Sequence, residues 1–170
     1  MIMTGLAALM ASPALPAFTG AAAAAPNGKR IKPPRIKPGD TIGLIEPASA
    51  SDDPFDLVLV EEAIRAMGLV PKRAPNLFKR YGYLAGQDKE RGADVTAMFA
   101  DKDVKAIFAV RGGWGSARAL PFIDWDVVRA NPKFLIGYSD ITALHRPGPQ
   151  AAGRLHRLPD AISFLEGAFT

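Results

Sequence analysis

The chain is 170 residues long, 48% hydrophobic and 22% charged, which fits one globular domain with a tail at either end and excludes a disordered polymer. It has no cysteine and two histidines, so disulfides, thiolate zinc sites and a His-rich metal centre are not expected. The net charge of +4 comes largely from Lys29, Arg30, Lys32, Arg35 and Lys37 and from the arginines after His145; neither block alternates with aromatics, so nucleic acid is not an expected partner.

Residues 1–30 are rich in Ala, Met and Leu, carry no charge before Lys29 and end in small residues, as an export signal or a flexible leader would. Pro13 and Pro16 make the stretch too broken for a membrane-spanning helix, so no membrane partner is expected. An exported or periplasmic location follows if the leader is a signal, and a cytoplasmic one otherwise. Residues 31–40, "IKPPRIKPGD", read as an extended linker, because each proline restricts the residue before it. "TIGLIEPAS" from Thr41 is a short apolar run closed by Pro47, a buried strand with a loop at its end. Asp56 to Met67 places Leu57, Val60, Ala63, Ile64 and Met67 at helical spacing, with Gly68 to stop it. "LVPKRAP" is a second strand. "GQDKERGADVTAMFA" is a helix with acids in its first turn and Val95, Met98 and Phe99 on one stripe. "VKAIFAV" is a nearly unbroken apolar run, a central strand buried on both faces. "SARALPFID" starts a helix that Pro121 cuts short, "KFLIGYSD" gives a fourth strand, and "DITALH" opens another helix. Strands alternating with helices make an α/β domain with a mainly parallel sheet flanked by helices.

In such a sheet, chemistry gathers at the C-terminal ends of the strands. The loops after Ile45, Val110 and Tyr138 therefore matter most. The loop after Val110 reads "RGGWGSARAL", with Gly112, Gly113, Trp114 and Gly115 ahead of Ser116. A dinucleotide fingerprint would need glycine where Arg118 stands, and a phosphate-binding P-loop would need Lys before the hydroxyl residue. Two readings of Ser116 stay open on the residues alone. It caps the helix that follows, or it is a nucleophile on a tight strand-to-helix corner, with the Ala117 amide facing a developing oxyanion.

"IKPGDTIGLIEPAS", "YGYLAGQDKERGADV" and "VKAIFAVRGGWGSARALPFIDWDVVRANPKFLIGYSDITALH", in that order, resemble the LD-carboxypeptidase family of serine peptidases. These enzymes trim the terminal D-alanine from murein tetrapeptides, and relatives hydrolyse the peptide-nucleotide antibiotic microcin C. The resemblance runs from about Lys37 to His145 and implies a domain over residues 41–145. It implies Ser116 as nucleophile, Ala117 and Gly86 in the oxyanion hole, and Gly112, Gly113, Trp114 and Gly115 along the substrate cleft. It implies a murein peptide or related peptide as substrate, no metal or organic cofactor, and a homodimer for full-length members.

In the family the base histidine and its orienting glutamate come from a C-terminal domain that has no counterpart here, so the chain is expected to be an N-terminal fragment, inactive alone. His145 does not match the base and His156 lies in a segment that matches nothing. Asp140 is expected to cap its own helix; Glu46 and Arg111 either face the cleft or form a structural ion pair, the pair being favoured. Residues 146–170 read as an aberrant, disordered tail, because two prolines stand where a helix should continue. A frameshift near His145 would explain it, since permissive codons for Gly153 to Ala161 can spell AGFTAYPM one nucleotide later. A second reading, from another class, is a small-ligand module whose glycine loop holds an anion without catalysis. Ser116 is expected at the first turn of a helix near Ala117, partly exposed, in a cleft shared with the loops after Ile45 and Tyr138.

Overall fold

A computed structural model describes residues 33–145 and 162–163. The elements run β1 (Thr41–Ile45), α1 (Pro54–Ala66), β2 (Val70–Arg73), α2 (Asp88–Ala100), β3 (Val104–Ala109), α3 (Ser116–Ala119), α4 (Trp125–Ala130), β4 (Lys133–Ile136), α5 (Thr142–His145) and β5 (Ile162–Ser163). The strands form one sheet in the order β2-β1-β3-β4-β5, every pairing parallel. This is the expected α/β fold, and β3 is its middle strand.

Alternation along the strands decides which helix packs where. Ile107, Ala109 and Leu135 point to one face, where Val95, Met98 and Phe99 of α2, Trp125 and Val128 of α4 and Leu144 of α5 cover them. Ile42, Leu44, Ala106 and Phe134 point to the other, against Leu57 and Ile64 of α1. On that second face an apolar pocket of about 310 Å³ remains between α1 and the sheet, lined by Ile36, Val60, Ile64, Phe108 and Ile136 among others.

Local chemistry sets the helix ends. The Asp53 carboxylate accepts from the Phe55 amide at 2.8 Å and Pro54 opens α1, which starts α1 two residues before the expected Asp56. Asp124 accepts from the amides of Asp126 and Val127 at the start of α4. Pro121 has the expected effect: α3 ends at Ala119 and tightens into a 3-10 turn over Leu120–Phe122. Ile162–Ser163 pair with Lys133 and Phe134, so this much of the tail extends the sheet. The rest of residues 146–170, and the leader over 1–30, lie outside the described residues.

Candidate active site

The glycine loop leaves β3 at its C-terminal end and must reverse within six residues. Gly113 and Gly115 make that possible, with φ of +97° and +104°, a region costly for any residue with a Cβ. Both also sit where a side chain would collide. A Cβ on Gly113 would lie 2.2 Å from Ser49 Oγ, and one on Gly115 would lie 2.7 Å from Leu84 Cδ2. The closeness reflects real stitching between loops. The Ser49 amide donates to the Gly112 carbonyl at 3.2 Å, and the Trp114 amide donates to Ser49 Oγ at 3.1 Å.

Gly115 occupies the N-cap position, and Ser116 is the first residue of α3. Here the structure corrects one expectation. Ser116 is not partly exposed but fully buried, at 0% exposure. Its hydroxyl donates to the main-chain carbonyl of Asp140 at 2.6 Å, and its amide donates to the Asp140 carboxylate at 2.8 Å. The cause is the turn over Ser139–Ile141, which folds across the corner: Ser139 adopts φ +56°, and Gly112 approaches the Tyr138 carbonyl so closely that an added Cβ would stand 3.0 Å from it. Asp140 is the second correction. Its carboxylate takes the Ser116 amide at the start of α3 instead of capping its own helix. Ser116 is no N-cap either, since its hydroxyl reaches across to another loop. Ala117 beside it is exposed, and Trp114 is 55% exposed.

A group that the sequence reading passed over ties the region together. Arg91, on α2, is 1% exposed. Its Nη1 donates to the carbonyls of Pro47 at 2.5 Å and Gly115 at 2.8 Å, and its Nε to that of Gly86 at 3.2 Å. Its Nη2 pairs with Asp88. Thus Gly86 meets the glycine loop through its carbonyl oxygen, bound to the same guanidinium as Gly115. Asp88 also holds Arg118 at 2.9 Å, whose guanidinium stands 5.8 Å from the Trp114 ring centroid. The Trp114 and Tyr83 rings pack tilted at 5.6 Å.

Residues 42–154 match the family described as the LD-carboxypeptidase N-terminal domain. The chain belongs to the LD-carboxypeptidase family. It is 43% identical over 122 residues to the probable murein peptide carboxypeptidase of Bacillus subtilis, covering 72% of this chain and 38% of that protein. It is 35% identical over 113 residues to the murein tetrapeptide carboxypeptidase of Pseudomonas aeruginosa, covering 63% of this chain and 36% of the relative. Among solved structures it resembles a mutant of the microcin C7 self-immunity protein MccF in complex with adenosine monophosphate, at a TM-score of 0.62 and 31% identity, over 67% of this chain and 35% of that one. The chain therefore spans well under half the length of these family members.

The remaining polar groups near the LD-carboxypeptidase corner are engaged structurally. Glu46 is buried; it accepts from the Ser51 amide at 2.8 Å and from the Ser51 hydroxyl, and it pairs with Arg80 at 3.5 Å. Arg111 pairs with Asp52 at 2.6 Å and donates to the Ala50 carbonyl at 2.9 Å, so the ion pair expected of Glu46 and Arg111 is replaced by two, each with a different partner. The Asp52 carboxylate holds that guanidinium above its ordinary pKa. His145 ends α5, and burial pushes its imidazole below the ordinary histidine range. Among the described residues, no cluster of three or more metal-ligating side chains occurs, and no helix is long and apolar enough to cross a membrane.

Proposed function

We propose that this chain is the serine-bearing N-terminal part of an LD-carboxypeptidase that releases the terminal D-alanine of a murein tetrapeptide, and that it does not turn over alone. The carrying observation is the position of Ser116: it opens α3 directly after the middle strand, across a loop whose Gly113 and Gly115 are both left-handed. That corner occurs in a chain matching the family over residues 42–154.

In the proposed reaction the Ser116 hydroxyl turns from the Asp140 carbonyl towards the substrate and attacks the carbonyl carbon before D-alanine. A base takes its proton, the C–N bond breaks, and the proton passes to the leaving amine. Water then cleaves the acyl-enzyme and releases the shortened peptide as a carboxylate. The Ala117 amide is the proposed donor to the oxyanion, with Gly86 as a second candidate, and Gly112 to Gly115 with Trp114 line the substrate side. The base and its orienting carboxylate are expected from the second domain of the family. A hydroxyl bonded to a main-chain carbonyl is not activated, because a carbonyl oxygen does not remove its proton at neutral pH. This supports inactivity of the chain by itself.

The anion-binding alternative is weakened by Asp140, whose carboxylate already takes the Ser116 amide at the start of α3. A fluorophosphonate probe tests the peptidase reading on this chain joined to a family C-terminal domain. Labelling at Ser116, lost in Ser116→Ala, is expected. Labelling that survives the substitution, or none at all, sinks the reading.

A further inference from the structure

We infer that Arg91 is a positioning residue of this site: its guanidinium fixes the loops after β1, before α2 and after β3 relative to one another, and so sets where Ser116 stands. Its importance for catalysis rests on the peptidase reading; its placement of the loops rests on geometry alone.

The three carbonyls that it gathers belong to Pro47, Gly86 and Gly115, which are far apart in the chain and sit in three different loops at the site. Gly115 immediately precedes Ser116, and its carbonyl also accepts the Arg118 amide, the first hydrogen bond of α3. The guanidinium therefore grips the residue from which the serine-bearing helix departs. Arginine suits the place because its planar fork sends donors in three directions at once, which a lysine ammonium on its flexible stem does not reproduce. Burial opposes the charge and pushes the Arg91 pKa down, whereas Asp88 pulls it up. The group stays charged at any working pH. Removal of the fork would leave three carbonyls without that donor in a water-poor corner.

Other bonds would then have to hold the loops. They include the Ala50 amide to the Tyr83 carbonyl at 2.9 Å, the Ala85 amide to the Ala48 carbonyl at 3.2 Å, and the Trp114 amide to Ser49 Oγ at 3.1 Å, beside the Ser49 amide to the Gly112 carbonyl. These amides, with that of Ser116, report loop order one by one.

The test is amide hydrogen exchange on the whole chain, resolved by residue, for wild type, Arg91→Lys and Arg91→Met. Expected in both variants is exchange about tenfold faster or more at Ala50, Ala85, Trp114 and Ser116, with Leu44 and Ile107 in the central strands within about twofold of wild type. A conservative lysine should fail to rescue. An equal rise in loops and strands would make Arg91 a general stabiliser and overturn the inference. So would full protection in Arg91→Lys, which would mean that charge alone suffices. Should Arg91→Met fail to fold, Arg91→Lys alone decides between these outcomes. Exchange needs no turnover. Absence of Ser116 labelling in the chain joined to a family C-terminal domain strikes only the peptidase reading, whereas absence of loop-selective exchange strikes only this inference.

Discussion

Replacing Gly113 by alanine should be among the most damaging single-methyl changes in the fold. Two independent penalties meet there. The residue holds φ +97°, where a side chain costs about 1–2 kcal/mol. The new Cβ would also lie 2.2 Å from Ser49 Oγ and 2.7 Å from Ser49 Cβ. Ser49 cannot swing away cheaply, because its amide is tied to the Gly112 carbonyl and its hydroxyl accepts from the Trp114 amide. Overpacking of this kind costs about 1–3 kcal/mol, so the total is about 2–5 kcal/mol. Gly39 supplies the control. Its φ is +87°, yet nothing lies within 4 Å of an added Cβ, so Gly39→Ala carries the backbone penalty alone. Urea unfolding of both variants, followed by circular dichroism, separates the terms. Gly113→Ala should unfold at a midpoint lower than Gly39→Ala by on the order of 1 M, with equal slopes. Equal midpoints would show that the two loops are not locked together as described.

Ser116→Ala should lose about 1 kcal/mol in the same assay, because it removes the bond to the Asp140 carbonyl; a more stable variant would show that this bond contributes nothing. Lys133 donates to the Met98 carbonyl at 2.8 Å, and burial pulls its pKa from 10.5 to about 8. The unfolded chain then binds more protons between those values, so wild-type stability should rise with pH from about 8 to 10.5, whereas Lys133→Met should lack that component, up to about 1.4 kcal/mol per pH unit. Parallel stability curves for the two proteins across that window would refute it. Glu61 is held below the ordinary carboxylate value of 4.5 by the Arg73 guanidinium first and Arg65 second, against desolvation. Its contribution should be complete above pH 4.5 and vanish as the pH falls through the depressed value; Glu61→Gln should flatten that limb of an acid titration, and an unchanged limb would count against the ion pair.

The fold was legible because its strands are buried by their own residues. "VKAIFAV" and "KFLIG" announce parallel strands without help from the rest of the chain, and Pro121 announces the end of α3. The strand-to-helix corner was legible for the same local reason, since several glycines before a serine admit few structures. What escaped was set by distant partners. Asp140 looked like the cap of the helix beside it, and only the turn across the corner brings its carboxylate to Ser116, 24 residues away. That same turn buries Ser116, which no local pattern states. Arg91 sits in "DKERGADV", where charge density suggests a solvated helix face. The signal that could have exposed it is positional: Arg91 lies three residues before Asp94 and four before Val95, both buried, and so belongs to the inward stripe of α2.

The apolar pocket between α1 and the sheet limits how the domain can be altered. Ile136, the half-buried residue that closes β4, lines that pocket together with Val60 and Ile64 of α1. A charge placed there would enter apolar surroundings without a partner, so Ile136→Lys should lower the urea midpoint, whereas a larger apolar side chain has room to enter; an unchanged midpoint for Ile136→Lys would show that the pocket admits water.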